Sequence, residues 1–484
     1  MSSPQGKRVF ICADHGLALI YFLQSEVLAT LLAGGVEVIL LVEDESQEVI
    51  ARKFSRPGLT VVGMRARQCQ DYYESHQPVL QQWLHLLRWV GGSRRVNVRA
   101  IDGNFNMAIS GMRRRDRWIL PFVRAAVWLM RRSRPVRRLV MDAQNRFQPG
   151  LYADLFEQYR PALVIASTPG WRWDRYLLRE AAARRVPTAA VIVGWDNPSS
   201  YRLSGAPVDY ITCWSEIQKE ELVLGADWPP ERVAVTGIPS YDGYFRRAWL
   251  IGRDEYFRQH GLDPQRKLLA YACSFETFSP NFPNIAALAE LVSRDELAFP
   301  CQLLIRLHPN HFRPGSRFEQ EAERVRTLAR QTPHVHLVEP VPLTASLGHY
   351  SGEDMPEKAS MLAYADVFLT VYSTMVVEAA IHDRPIVSVT IDTPGGWNLP
   401  GVYSLPLTAI GDWPTHLRFR QAGAGRVAVD REQIRQHVNA YLRDPQLDGP
   451  ARRRFIEAEC TFTDGSAGRR TGEYFLQLLE RIAS

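Results

Sequence analysis

The sequence predicts an α/β protein built from two doubly wound, largely parallel sheets in tandem. Three observations carry this expectation. Strand-like and helix-like runs alternate, the alternation restarts near Lys267, and 484 residues with 46% apolar content suffice for more than one core.

The first unit begins with a buried-strand run at 8–13, loop chemistry at Asp14-His15-Gly16, a helical spacing over 25–32, a stop at Gly34-Gly35 and a second strand at 36–42. Strand, helix and strand in this order make a βαβ unit, whose right-handed crossover gives parallel pairing. The rhythm returns with strand 162–166, helix 174–185, strand 188–193, strand 210–214, helix 215–224 and strand 233–235, which leads into Gly237-Ile238-Pro239. A linking helix over 254–260 follows. The second unit has strands at 268–272, 302–307, 335–338, 367–371 and 386–389, and helices at 284–293, 356–365 and 374–382. A terminal helix is expected over 467–482. We therefore expect domains at 1–245 and 246–484, the latter including the terminal helix, with the ligand site at strand C-termini facing a cleft.

The bulk properties narrow the class. Six cysteines stand far apart without a C-x-x-C pair, which suggests neither a zinc knuckle nor a disulfide framework, and a reducing compartment is expected. The polar start lacks the basic-then-apolar pattern of an export signal. The longest apolar stretch, 118–130, is too short to span a bilayer and contains Pro121 and Arg124. A net charge of +6 favours anionic partners without naming one.

Two strand ends carry the sharpest chemistry. At Thr370-Val371-Tyr372-Ser373-Thr374 a strand empties into a hydroxyl-bearing turn that opens a helix, where free N–H groups and the Ser373 and Thr374 hydroxyls suit a phosphate. Glu378, one turn further on, is placed to accept bonds from a ribose. The same pattern equally fits an ordinary Ser/Thr cap with a solvated glutamate. At Arg306-Leu307-His308-Pro309-Asn310 the proline ends a strand and fixes His308 at the sheet edge, with Arg306 two residues back on the same face. There His308 can donate to a phosphate oxygen, or it can be a structural strand-end histidine.

Taken together, Arg306-Leu307-His308-Pro309, Tyr372-Ser373-Thr374 and Glu378-Ala379-Ala380 resemble the GT-B clan in which a His-Pro motif and a Ser/Thr motif hold the donor phosphate. That clan includes bacterial sialyltransferases, capsule Kdo transferases, CDP-glycerol glycerophosphotransferases and, more distantly, UDP-N-acetylglucosamine 2-epimerases. Gly194-Trp195-Asp196-Asn197-Pro198-Ser199-Ser200, Trp214-Ser215-Glu216 and the run from Val235 to Asp242 look like the N-domain signature of related surface-carbohydrate glycosyltransferases. Phe462-Thr463-Asp464-Gly465-Ser466-Ala467-Gly468-Arg469 is similar to their C-terminal segment. The resemblance runs from about residue 162 to the end and implies two Rossmann-like domains facing a cleft, with Arg306, His308, Pro309, Asn310, Tyr372, Ser373, Thr374 and Glu378 on the donor side.

Inverting transfer needs a base for the acceptor hydroxyl. Asp14 and His15, just after the first strand, are the first candidates; a helix cap beside an exposed histidine is the alternative. Asp196 is the second candidate, or else part of an Asx-turn that shapes the cleft. No D-x-D or His/Asp/Glu cluster has ligand spacing, so metal-independent chemistry is expected, the leaving phosphate being neutralised by His308, arginines and helix dipoles.

Between Arg113 and Arg138 ten arginines meet one acid, Asp116, among Trp118, Ile119, Phe122, Val127, Trp128 and Leu129. Such a basic amphipathic element suits the headgroup region of an anionic membrane, or else a packed helix with solvated arginines. It lacks a recognised nucleic-acid module, and no nucleic-acid partner is expected.

The sequence thus points to an inverting glycosyltransferase that needs no cofactor. It would move sugar from a nucleotide-activated donor, CMP-, CDP- or UDP-linked, to a surface polysaccharide or glycolipid, in the cytoplasm or at the inner membrane face. A CDP-polyol phosphotransferase and a UDP-sugar 2-epimerase are the alternatives.

Overall fold

The computed structural model describes residues 7–201, 203–274, 279–312, 314–341, 352–399 and 402–483, with backbone only at 114 and 116. It divides into two compact units, one comprising Met1–Ala108, Met112–Asp242 and Cys460–Ser484, the other Ile109–Gly111 and Gly243–Glu459.

In the first unit seven strands form one parallel sheet: β1 (Arg8–Ala13), β2 (Glu37–Val42), β3 (Leu59–Gly63), β4 (Leu163–Ala166), β5 (Thr188–Val191), β6 (Tyr210–Cys213) and β7 (Val233–Val235). Their spatial order is β3-β2-β1-β4-β5-β6-β7. Ile11 of β1 stands in register with Leu40 of β2 and Ile165 of β4. Helices cover both faces, so Val9, Phe10, Ile11, Cys12 and Ala13 are all buried, and the strand reads as a continuous apolar run. Edge strand β3 is only half-buried and was not predicted.

The second unit repeats the plan with β8 (Lys267–Ala272), β9 (Cys301–Arg306), β10 (Val335–Val338), β11 (Val367–Thr370), β12 (Ile386–Val389) and β13 (Arg426–Ala428). The order is β10-β9-β8-β11-β12-β13, again parallel throughout. In each sheet the strand order reverses beside the first strand, between β1 and β4 and between β8 and β11. Open α/β sheets bind ligands beyond the carboxyl ends at such a switch point.

The terminal helix, Ala467–Ala483, was expected with the second domain but belongs to the first unit. It packs on the helix Glu26–Ala33, and the approach is close: a Cβ at Gly468 would lie 2.7 Å from the Glu26 backbone nitrogen, and one at Gly472 would lie 2.5 Å from the Thr30 Cβ. Asp242 caps its first turn, accepting from the backbone N–H groups of Ala467 at 2.9 Å and Gly468 at 2.8 Å. Two of the motif segments thus meet as a clamp, worth about 1 kcal/mol for the cap.

Among the described residues no single helix is long and apolar enough to cross a membrane. All six cysteines are buried free thiols.

Candidate active site

The C-terminal ends of β1, β2 and β4 gather titratable groups. Asp14 follows β1 and is buried; its Oδ1 accepts from His15 Nδ1 at 2.7 Å and from Ser167 Oγ at 2.7 Å, and its Oδ2 from Arg172 Nε at 2.9 Å. Burial alone would raise the Asp14 pKa. The His15 hydrogen bond and charge, the Arg172 charge and the Ser167 hydroxyl outweigh it and hold the carboxyl well below the usual range. His15, 17% exposed at its side chain, is held at its Nδ1 edge by this carboxylate, which orients the ring.

Two further carboxyls in this cluster were not foreseen. Asp174, fully buried at the start of the helix Asp174–Ala183, accepts from Thr168 Oγ1 at 2.6 Å and from the Arg172 N–H at 3.1 Å. Its pKa is pushed up to about 7 by burial and then by the Asp14 charge. Glu43, just past β2, also rises to about 7, chiefly by desolvation and despite Arg172. Ser167 and Thr168 are the first residues after β4, so the strand-end rule that selects Asp14 would have found them. Asp174 gives no such signal, because an acid in a helix's first turn is ordinary.

Asp196 lies elsewhere in this unit, after β5. Its Oδ2 accepts from Ser200 Oγ at 3.0 Å, its backbone carbonyl accepts from the Ser199 and Ser200 N–H groups, and burial raises its pKa. Asn197 Oδ1 accepts from the Gly194 N–H at 2.8 Å, and Gln218 Nε2 donates to the carbonyls of Gly194 and Trp195 at 3.2 and 3.1 Å. Gln218 Oε1 also accepts from the Trp214 N–H at 2.9 Å. Gln218 thereby knits the Trp-Asp-Asn and Trp-Ser-Glu segments to each other, while the Asp196 side chain accepts from a hydroxyl rather than from the backbone N–H that an Asx-turn requires.

In the second unit Arg306, Ala272 and Thr370 stand side by side at the ends of β9, β8 and β11. At a strand spacing of about 4.8 Å, Arg306 and Thr370 are roughly 10 Å apart across the β8 end, and His308 and Tyr372 follow two residues beyond them. His308 is half-buried, and its Nδ1 accepts from the Asn310 N–H at 3.1 Å, inside the turn Pro309–Phe312. With Nδ1 accepting, Nε2 carries the proton of the neutral ring. The His308 N–H donates to Nδ1 of buried His311 at 3.0 Å, and His311 Nε2 lies 3.2 Å from Glu321 Oε2. His311 and Glu321, absent from the sequence reading, fix this turn.

Beyond β11, Tyr372 has φ of +36°, a left-handed conformation costly for a bulky residue and one that sharply turns strand into helix. Its ring centroid is 5.0 Å from that of buried His416. Ser373 and Thr374 are half-exposed, and Ser373 Oγ accepts from the Met375 N–H at 3.3 Å.

Two expected donor residues are engaged internally. Arg306 was expected to offer its charge to the phosphate; its guanidinium is buried and pairs with Asp354 and Glu357. Glu378 was expected at a ribose; it is 4% exposed, and its Oε2 lies 2.6 Å from both Tyr244 Oη and Lys358 Nζ. The apolar sheet face explains both, since a charged group there needs a partner. Among the described residues no three His, Cys, Asp or Glu side chains converge as a metal site.

Two doubly wound sheets in tandem define an α/β protein of GT-B architecture. No family model matches the sequence, and no curated protein does. Solved structures share the fold over nearly the whole chain. S. aureus MnaA in complex with UDP superposes with a TM-score of 0.54 at 12% identity, covering 99% of this chain and 98% of that one. UDP-GlcNAc 2-epimerase from Neisseria meningitidis bound to UDP-GlcNAc gives 0.52 at 11%, covering 98% and 100%. A glycosyltransferase from Rickettsia africae ESF-5 gives 0.51 at 9%, covering 99% of each chain. At these identities the shared property is the fold.

Proposed function

We propose that the chain is an inverting, metal-independent glycosyltransferase that moves a sugar from a nucleotide-activated donor to a surface polysaccharide or glycolipid. The observation that carries this reading is the division of chemistry between the two switch points. The first has a buried carboxylate orienting a partly exposed imidazole; the second has an imidazole and two hydroxyls beyond the ends of β9 and β11, on either side of β8.

In this mechanism His15 Nε2 takes the proton of the acceptor hydroxyl as its oxygen bonds to the anomeric carbon, and the anionic Asp14 stabilises the imidazolium that forms. The bond from that carbon to the donor phosphate breaks. The phosphate leaves with the electron pair and accepts hydrogen bonds from His308 Nε2–H and the hydroxyls of Ser373 and Thr374. Arg306 and Glu378 act as positioning residues through their ion pairs. Among the CMP-, CDP- and UDP-linked donors expected from the sequence, the UDP and UDP-GlcNAc bound to structural neighbours support the uridine class.

Thermal-shift screening against CMP, CDP, UDP, UMP and GDP, followed by transfer assays with the matching donors, tests the reading. One nucleotide class should raise the melting point, and its sugar should appear on an acceptor. A product retaining the donor phosphate as a phosphodiester would replace transfer by CDP-polyol phosphotransfer.

A second reading, a UDP-sugar 2-epimerase, is favoured by the half-exposed Glu43 just past β2, a carboxyl whose pKa desolvation raises to about 7 and which is suited to proton exchange at a sugar carbon. Donor turnover without acceptor, giving a C2-inverted sugar, would establish it.

A further inference from the structure

The basic segment has a feature that a packed, solvated helix does not require. The helix Leu120–Met130 buries Val123, Val127 and Met130 on one side, yet its other side carries exposed Phe122, Trp128 and Leu129. Twelve large apolar side chains stand exposed among the described residues, and five of them, these three with Trp118 (72%) and Leu139 (68%), fall within residues 118–139. Apolar residues concentrated in this way mark a surface that contacts something.

Beside them opens a pocket of about 500 Å³ whose wall includes Arg94, Arg95, Arg131, Arg132, Arg134 and Arg137. Against six guanidinium groups its described lining has two carboxylates, Asp227 and Glu231. Asp227 is already clasped by Arg137 at 2.5 and 2.7 Å, while Arg131 pairs with Asp102 outside the lining at 2.8 Å. Arg94, Arg95, Arg132 and Arg134, all exposed, give the pocket its excess positive charge. Arg132 joins the two features, for its guanidinium lies 4.2 Å from the Trp128 ring centroid. Partial desolvation and the charges of Arg94 and Arg131 lower its pKa, as expected where cations crowd without an anion.

We propose that this face of the first unit lies on an anionic lipid bilayer, with Trp118, Phe122, Trp128 and Leu139 entering the headgroup region and a lipid phosphate seated among Arg94, Arg95, Arg132 and Arg134. Apolar insertion supplies affinity and the arginines select negative lipid; guanidinium groups grip phosphate oxygens in pairs. The proposal is independent of which reaction the chain catalyses.

Flotation of the full chain with vesicles tests it, using pure phosphatidylcholine and a mixture containing phosphatidylglycerol. The protein should float with the mixed vesicles only, and added salt should weaken the association. The R94Q/R95Q/R132Q/R134Q variant should lose about tenfold or more in partitioning at unchanged melting temperature. The W118S/F122S/L139S variant should also lose binding, even at low salt. Equal flotation of both variants and wild type, or equal binding to neutral vesicles, would overturn the proposal. So would an arginine-dependent melting shift with inorganic phosphate or single-stranded nucleic acid in the absence of flotation, which would assign the pocket to a soluble anion.

Discussion

Asp14 Oδ1 and His15 Nδ1 are joined by a 2.7 Å hydrogen bond in which the carboxylate is buried and the imidazole is not. Neighbours in sequence seldom cooperate in this way, because adjacent side chains at a strand end diverge. Here Ser167 and Arg172 tie the carboxylate down, and the extended backbone of His15, at φ −164° and ψ 163°, precedes the helix Gly16–Leu23.

If the pair is the base, His15→Ala should slow transfer about 10²- to 10⁴-fold while nucleotide affinity, read by calorimetry, stays at the wild-type value. Asp14→Asn keeps the shape but withdraws the charge that favours imidazolium, so the rate should fall again without loss of binding. Wild-type turnover in both variants would remove the pair from the chemistry.

The raised carboxyls give a pH dependence of stability. Asp174 and Glu43 titrate near 7 in the folded chain but near 4 when unfolded, so the folded state holds protons that the unfolded chain releases. Their stabilisation is complete below about pH 4 and is lost as the pH rises through 7. Asp174→Asn should flatten the decline in melting temperature between about pH 5 and 8 and should melt above wild type at the alkaline end. Glu43, half-exposed, should contribute less. A variant with the wild-type slope would show that Asp174 is not the source.

What the sequence revealed followed from burial. β1 and β12 begin and end where their strand-like runs do, because both are buried along nearly their whole length. β3 escaped notice because an edge strand of mixed exposure, Leu-Thr-Val-Val-Gly, carries little periodicity, and β13 because three residues are too few to show any. Asp14, His15 and His308 were visible as polar residues directly after strands. The engagement of Arg306 and Glu378 was not, since Asp354, Glu357 and Lys358 come from the separate segment 354–358, which no local pattern connects to either residue. The same limit hid the clamp formed by Asp242 on Ala467 and Gly468.

Arg306 should accordingly behave as a stability residue. Arg306→Ala leaves buried Asp354 and partly buried Glu357 without their counter-charge and should cost about 3–5 kcal/mol in chemical denaturation. Replacing all three, as R306M/D354N/E357Q, should restore much of that loss because no lone charge remains. Nucleotide affinity measured on the rescued protein should match wild type; a large loss there would return Arg306 to direct phosphate binding.

His308 and Ser373 should show the opposite behaviour. Both are half-exposed, and neither replaces a buried charge, so alanine at either should leave the melting temperature nearly unchanged. A lost hydrogen bond to an ionised phosphate is worth about 1.5–3 kcal/mol, so each variant should bind the cognate nucleotide roughly 10- to 150-fold more weakly. Glu378→Ala, which strands Lys358 near Tyr244, should lower stability and affinity together, and the milder Glu378→Gln should separate the two. EDTA should change none of these affinities if His308 and the hydroxyls neutralise the phosphate; activity abolished by EDTA and restored by manganese would transfer that role to a metal ion. Unchanged nucleotide binding in both His308→Ala and Ser373→Ala would move the donor site away from the ends of β9 and β11.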